Sequence, residues 1–392
     1  MNPTAHTTRL AHPAPARVLA CGAYLKNRAC LVDGDRLHWS AEHGDLADAD
    51  SRAALLQSVD ALCSAAGGPL AAVAHDLHPD FFSTHLALEV AGRHGVPAVA
   101  VQHHHAHVAV VAAEQALQQA CIGIALDGMG LGTDGSAWGG ELLWVGGARA
   151  VPQWRRLGAL APLALPGGDV AAREPWRLAA AVLHALGRGD EIVPVFGPLV
   201  GTTMAETVRV MLAGDLHCPR SSSAGRWFDA AAGALGLCLR QHTEAAAAMA
   251  LEAAAAGALT DPDGGDLPVP LSLDLAPLVG HLLGLRGQGA LAQGRGAVWF
   301  HQALAGGLVR AVLHHAAATG CTQVVLAGGC MANRLLVRLL RQALQDAGLR
   351  VVTAQAAGCG DAGLALGQAW VAAWTVAGQA DTSVSDALAL EH

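Results

Sequence analysis

Hydrophobic and polar positions along this chain follow two different periods, and each change of period marks an element. Residues 18–40, "VLACGAYLKNRACLVDGDRLHWS", alternate in short segments on either side of Asp33-Gly34, which predicts a β-meander turning through a hairpin. A helix is expected near residues 51–65, followed by the strand "PLAAVAHD", a helix near 81–93 and the strand "VPAVAVQ". A further helix begins inside "VQHHHAHVA" (101–109). After Gln119 the pattern restarts with the strand "CIGIALDG", a glycine-rich turn and the strand-like "SAWGGELLWVGGARAVPQW". Residues 155–300 read as a mostly helical insertion. The strand "TQVVLAGG", a helix from Asn333, the strand "LRVVTAQ" and a last helix from Asp361 complete the second half.

A hairpin-led module of three strands, a helix, a strand and a helix therefore occurs twice. Two such modules facing each other across a cleft predict an α/β, two-lobed fold of the actin/sugar-kinase/heat-shock-ATPase-like (ASKHA) type, with a mostly helical insertion in the second lobe. The expected first lobe is 17–119, completed by a C-terminal helix over 361–377. The second is 120–360, with its insertion at about 155–300, and residues 1–16 and 378–392 are expected to be loose tails.

Composition narrows the class. Hydrophobic residues make up 53% of the 392 positions and charged ones only 14%, as expected of parallel strands covered on both faces. The most apolar stretch, residues 245–259, is short and contains Glu252, so it reads as an alanine-rich helix and no membrane span is expected. Nine cysteines without a CxxC pair disfavour a zinc ribbon and a disulfide framework. The formal net charge of −8, without a Lys/Arg run, argues against a nucleic-acid partner. No secretory signal is visible, and a cytoplasmic location is expected.

The histidine cluster changes the picture most. In a helix starting near Gln102, His103 and His107 stand at i and i+4 and share a face, while His104 and His105 point elsewhere. Asp127 directly follows the strand "IGIAL", and Asp361 opens the final helix. His103, Asp127 and Asp361 thus stand at three strand ends, where open α/β sheets put their ligand crevice. Two histidines and two aspartates suit Fe(II), Zn or Mn, with positions left open for substrate oxygens. A lone HxxxH is more often an exposed helix start, and a lone Asp after a strand is more often a turn or cap residue. The combination favours a metal site.

Other stretches carry weaker signals. In "DGMGLGTDG", Gly128, Gly130 and Gly132 follow a strand and would let backbone approach phosphate, although the stretch is neither a Walker nor a Rossmann turn. In "VVLAGGCMANRLL", Gly328-Gly329 would offer bare backbone to an adenosine and Asn333 a polar contact. Asp229 within "SSSAGRWFDAAAGALGL" is uncomfortable as plain surface, and Glu244 lies in "QHTEAAAAM". "AHDLHPDFFST" ends a strand with Asp76, His78 and Asp80, which could line the same cleft.

Together with "GAYLKN" and "LPGGDVAAREPWRLA", these motifs make the chain resemble the C-terminal carbamoyl-transfer domain of the hydrogenase maturation family HypF, over roughly residues 18–375. The resemblance implies an enzyme that takes the carbamoyl group from carbamoyl-adenylate to the C-terminal cysteine thiolate of the partner HypE, for cyanide ligand synthesis. It implies His103, His107, Asp127 and Asp361 as ligands of one divalent ion, Fe(II) or Zn. Asp229, Glu244, Gly329 and Asn333 match nucleotide contacts, and "HTEA" departs from the family's usual stretch at Glu244. The acylphosphatase, zinc-finger and YrdC-like parts of full-length members have no counterpart here, so carbamoyl-adenylate is expected from a separate activating protein. The competing readings are a tRNA threonylcarbamoyl-transfer enzyme of the same superfamily and a non-catalytic nucleotide-binding subunit that docks HypE.

Overall fold

The computed structural model describes residues 4–258 and 267–389; residues 1–3 and 390–392 of the expected tails, and Leu259 at the end of the alanine-rich stretch, lie outside them. The first lobe contains strands β1 (Thr4–Arg9), β2 (Val18–Ala20), β3 (Cys30–Asp33), β4 (Arg36–Ser40), β5 (Ala72–Asp76) and β6 (Ala98–Val101), with helices α1 (Ala49–Ala65), α2 (Phe82–His94) and α3 (His103–Glu114). The second contains β7 (Cys121–Leu131), β8 (Ala137–Val145), β9 (Trp154–Ala159), β10 (Leu163–Ala164), β11 (Arg220–Ser221), β12 (Gln323–Ala327) and β13 (Arg350–Thr353). Its helices are α4 (Asp169–Arg173), α5 (Pro175–Ala185), α6 (Ile192–Val200), α7 (Thr202–Ala213), α8 (Ala224–Leu235), α9 (Ala246–Ala258), α10 (Ala276–Leu282) and α11 (Ala290–Thr319). Helices α12 (Arg334–Asp346) and α13 (Leu364–Ala389) follow.

The sheets repeat one topology. In the first, β4, β3 and β2 are antiparallel and β5 and β6 join parallel to β2; in the second, β9, β8 and β7 are antiparallel and β12 and β13 join parallel to β7. Two strands at the parallel side, "AVAHD" and "QVVLA", are buried at every position, as strands covered on both faces must be. The doubled module thus gives the two-lobed α/β architecture that the repeat predicts.

Helices α3 and α13 lie between the sheets and tie them together. Helix α3 packs on α13 and on β7 and β12, while α13 packs on β2, β3, β5 and β6. One apolar core runs through Val18, Val32, Val108, Val111, Val325 and Leu366, drawing from both sheets and both helices. The approach is close enough that a Cβ at Gly367 would overlap the carbonyl oxygen of Ala106. Likewise a Cβ at Gly123 would overlap the Val108 side chain.

Three boundaries differ from the sequence reading. Thr4–Arg9 is no loose tail: it pairs antiparallel with β4, from Thr4 opposite Ser40 to Arg9 opposite Arg36. Its threonines and histidine give no apolar alternation, because an edge strand is held by backbone bonds to its neighbour. The helices of the insertion begin at Asp169 and the last of them ends at Thr319, since residues 154–159 form β9 against β8. The last helix runs beyond 377 to Ala389, and Asp361 lies in a 3-10 turn, Asp361–Gly363, that leads into it.

Candidate metal centre

Strand β6 ends at Val101 and Gln102 caps α3, its side-chain oxygen accepting from the His105 N–H at 2.9 Å. The cap fixes the first turn, so His103 and His107 stack one turn apart with ring centroids 4.9 Å from each other. Asp127 comes from β7 where pairing with β8 loses register between Leu126 and Gly130, an irregularity that turns the side chain out of the ladder. The Gly128 N–H then donates to Asp127 Oδ1 at 2.7 Å and fixes the carboxylate.

These side chains converge with Asp361. His107 Nε2 lies 2.8 Å from Asp127 Oδ2 and 3.4 Å from Asp361 Oδ1, and His103 Nε2 lies 3.3 and 3.6 Å from the same two atoms. The four residues each offer one ligand atom, all within 4.8 Å of one another. His107 Nε2 is buried and makes no aligned hydrogen bond. A buried ring nitrogen aimed at two carboxylates without a hydrogen bond fits a divalent ion, and two nitrogens with two oxygens fit Fe(II) or Zn.

Asp76, at the end of β5, completes the arrangement from behind. Fully buried, it faces His103 Nδ1 through Oδ2 at 2.8 Å, while its Oδ1 accepts from the His78 N–H at 3.0 Å. An imidazole that binds through Nε2 is oriented by such a carboxylate on Nδ1. Sequence reasoning put Asp76 only among residues lining the cleft. The available signal was its position at a strand end, beside the strand that delivers His103.

Charge follows from this packing. Burial alone would lower the basicity of His103, but the Asp76 charge and hydrogen bonds to Asp127 and Asp361 hold it well above its ordinary value. His107 is likewise raised against burial by Asp127 and Asp361. Burial would raise Asp127 and Asp361, yet the two histidines hold both carboxyls below the usual carboxylate range. His104 and His105 take no part. His105 Nε2 donates to the Val151 carbonyl at 2.8 Å, and burial pushes it down to about 4; His104 sits near Trp138, and burial keeps it neutral.

A cleft of about 500 Å³ opens over the centre. Lys26 comes from the first lobe; Asp127, Gly128, Gly329 and Asp361 form the floor, and Arg173, Arg226, Gln241 and Glu244 come from the insertion. Of the residues singled out for nucleotide or phosphate, Gly128, Glu244 and Gly329 line this cleft, whereas Gly130, Gly132, Gly328, Asp229 and Asn333 do not. Gly130 makes room for the rings of His103 and His104, each within 2.9 Å of where a Cβ would stand. Gly132 does the same for Trp138, and Gly328, at φ +92°, lies against the Leu126 carbonyl. Asp229 pairs with Arg226 at 2.7 Å and accepts from Gln241 at 3.0 Å, behind two residues that do face the cleft. Burial raises its carboxyl to about 6. Asn333 caps α12 through the Leu336 N–H and lies 3.0 Å from His301 Nε2.

A doubled α/β module with a histidine–carboxylate centre on its inter-lobe axis has known relatives. The family model "Carbamoyltransferase, Kae1-like Domain, second subdomain" matches residues 123–368, and the "HypF Kae1-like domain" model matches 13–114. A carbamoyltransferase HypF homologue of Cupriavidus necator is 55% identical over 91% of this chain and 92% of its own length. Carbamoyltransferase HypF2 of the same organism is 44% identical over 94% of this chain and 48% of its own. The crystal structure of T. kodakarensis HypF superposes with a TM-score of 0.83 at 27% identity, covering 95% of this chain and 49% of that one. Full-length HypF in the phosphate- and nucleotide-bound form gives 0.81 at 27%, covering 94% and 47%. The fold is therefore that of a Kae1-like, ASKHA-type transferase domain. The chain belongs to the HypF family of carbamoyltransferases, spanning nearly all of one relative and about half the length of the others. Among the described residues no helix is long and apolar enough to cross a membrane.

Proposed function

We propose that this chain transfers the carbamoyl group of carbamoyl-adenylate to the C-terminal cysteine thiolate of HypE, the step that supplies the cyanide ligand in [NiFe]-hydrogenase maturation, in the cytoplasm. The observation that carries the reading is the convergence of His103, His107, Asp127 and Asp361 under a cleft rimmed by cations, in a chain of this family. When bound by those four residues, Fe(II) or Zn supplies Lewis-acid polarisation of a carbonyl or phosphoryl oxygen.

The chain's own groups divide the remaining work. Asp76 holds the His103 ring, and burial of both histidines keeps water from their nitrogens. Gly128 and Gly329 leave bare backbone on the cleft wall where an adenylate would lie, and Lys26 and Arg173 offer positive charge to its phosphate. The acceptor sulfur attacks the carbamoyl carbon; an S–C bond forms, the C–O bond to phosphate breaks, and AMP leaves with the electron pair. The thiols of Cys330 and Cys359, on which the Asp127 charge acts, do not suit that role. Burial, with the Asp127 charge acting in the same sense, pushes Cys330 and Cys359 upward and favours their protonated form, whereas the nucleophile must be a thiolate.

The donor would come from a separate carbamoyl-adenylate-forming protein. The test supplies synthetic carbamoyl-adenylate and HypE to the purified, metal-loaded chain and follows the intact mass of HypE. A carbamoyl-sized gain that is lost after replacement of the HypE terminal cysteine is the expected result. An unmodified HypE, with donor hydrolysis no faster than in buffer, would refute the reading.

A further inference from the structure

Of the 24 lysines and arginines in this chain, only Lys26 is a lysine. It stands in the loop between β2 and β3, on left-handed backbone at φ +46°. The neighbouring Asn27 pins that loop by donating to the carbonyls of Cys21 and Ala23 at 2.9 and 2.6 Å. Across the cleft, Lys26 Nζ meets Glu244 Oε2 at 2.8 Å. Glu244 precedes Ala245, which is also left-handed at φ +59°. Gln241 anchors that side by accepting from the Ala247 N–H at 3.0 Å. Both partners are about half exposed or more, 52% and 64%, and both line the cleft with Asp127 and Asp361.

An ion pair this exposed contributes little to stability, so its place across the cleft is not explained by holding the fold together. The residue type is informative as well. An arginine would close a two-toothed fork on the Glu244 carboxylate, whereas an ammonium is a point charge with three rotatable donors that can change partners. The other cations on the cleft wall come from the insertion, and Arg226 is committed to Asp229 at 2.7 Å. Burial alone would lower the Lys26 ammonium, but Glu244 first, and then the charges of Asp361 and Asp127, favour its charged form.

We infer that Lys26 is a phosphate-positioning residue held in reserve by Glu244: a phosphate-bearing ligand entering the cleft draws the ammonium from the carboxylate and, by closing on it, tightens the two walls around the ligand. This rests on the nucleotide reading above and adds to it the residue that recognises the phosphate and the exchange that admits it.

The single lysine makes the exchange observable. Protein labelled with 15N-lysine carries one side-chain ammonium signal, and AMP and adenosine are titrated against wild type, Lys26→Met, Lys26→Arg and Glu244→Gln, with metal content measured on each. AMP is expected to shift the ammonium signal and adenosine to leave it in place. Lys26→Met should reduce the AMP-to-adenosine affinity ratio at least tenfold, Lys26→Arg should reduce it less, and Glu244→Gln should raise it, all with unchanged metal content. AMP that binds without moving the signal overturns the exchange and leaves the nucleotide reading intact. The exchange is equally overturned if every variant keeps the wild-type ratio, as a purely structural ion pair would. Wild type that binds neither AMP nor inorganic phosphate overturns both. If Lys26→Met fails to fold, the signal in wild type still decides.

Discussion

His103 is gripped by carboxylates on both sides of its ring, with Asp76 Oδ2 2.8 Å from Nδ1 and Asp127 Oδ2 3.3 Å from Nε2. The two carboxylates come from different lobes, β5 and β7. A ring held this way has one tautomer available for metal binding, with the proton on Nδ1 and the lone pair of Nε2 facing the centre.

Loss of the Asp76 charge should therefore loosen the centre without dismantling it. Asp76→Asn is expected to weaken metal binding by roughly 10–100-fold while the fold is kept. His107→Ala and Asp361→Ala, which remove donor atoms, should leave no stoichiometric metal and no transfer. Elemental analysis after dialysis against graded chelator separates the two classes; equal metal content in Asp76→Asn and wild type would remove Asp76 from the centre.

Stability of the chelated protein should depend on pH in a direction set by its histidines. His103 and His107 are raised in the fold, so they stabilise it fully below about 6.5, their unfolded value, and this contribution fades as pH rises through their folded values. Asp127 and Asp361 are lowered, so their contribution is present above about 3.9 and lost only in stronger acid. The melting temperature of the metal-free chain should fall from pH 6 towards pH 9. Bound metal, which needs the histidines neutral, should oppose that fall. Parallel calorimetry with and without chelator measures both slopes.

His105 behaves in the opposite sense. Its value is pushed down to about 4, so its neutral ring supports the fold at neutral pH and the support is lost as acid approaches that value. His105→Phe should be less stable than wild type at pH 7, because the Val151 carbonyl loses its donor. The gap should narrow by about 1.4 kcal/mol per pH unit below the unfolded histidine value, as read by urea unfolding between pH 7 and pH 5.

Gly367→Ala tests the seam between α3 and α13. The added methyl has no space against the Ala106 carbonyl, so the helices must separate. Overpacking of this kind costs about 1–3 kcal/mol. Because α3 carries His103 and His107 and α13 follows Asp361, metal affinity should fall together with the melting temperature. Full metal affinity in a destabilised Gly367→Ala would show that the seam does not set the site's geometry.

The parts of the centre that obey a period or a boundary rule could be read in advance. The i and i+4 spacing put His103 and His107 on one face, whereas the expected strand ends differ: Asp127 lies within β7 where its pairing with β8 is irregular, and Asp361 lies in a 3-10 turn well after β13. What escaped depends on tertiary neighbours. Gly130 and Gly132 look like phosphate-loop glycines in sequence, but they give room to the rings of His103, His104 and Trp138. Asn333 has the chemistry of an adenosine contact, yet in this structure it caps a helix and faces His301. Asp76 could be seen at its strand end, but its role needs the distance to a ring that another strand delivers. Thr4–Arg9 was invisible because its threonines and histidine carry no apolar alternation, the strand being held at the sheet edge by backbone pairing with β4.

The crossing of α3 and α13 between the sheets has a consequence for how the protein is made. His103 and His107 leave the ribosome long before Asp361, which lies in the turn leading into α13, the helix packed between the lobes. On the proposed metal reading, a nascent chain presents three of the four candidate ligands with the fourth still untranslated. That reading makes loading of the proposed ion a late event in the protein's birth, after translation has passed Asp361.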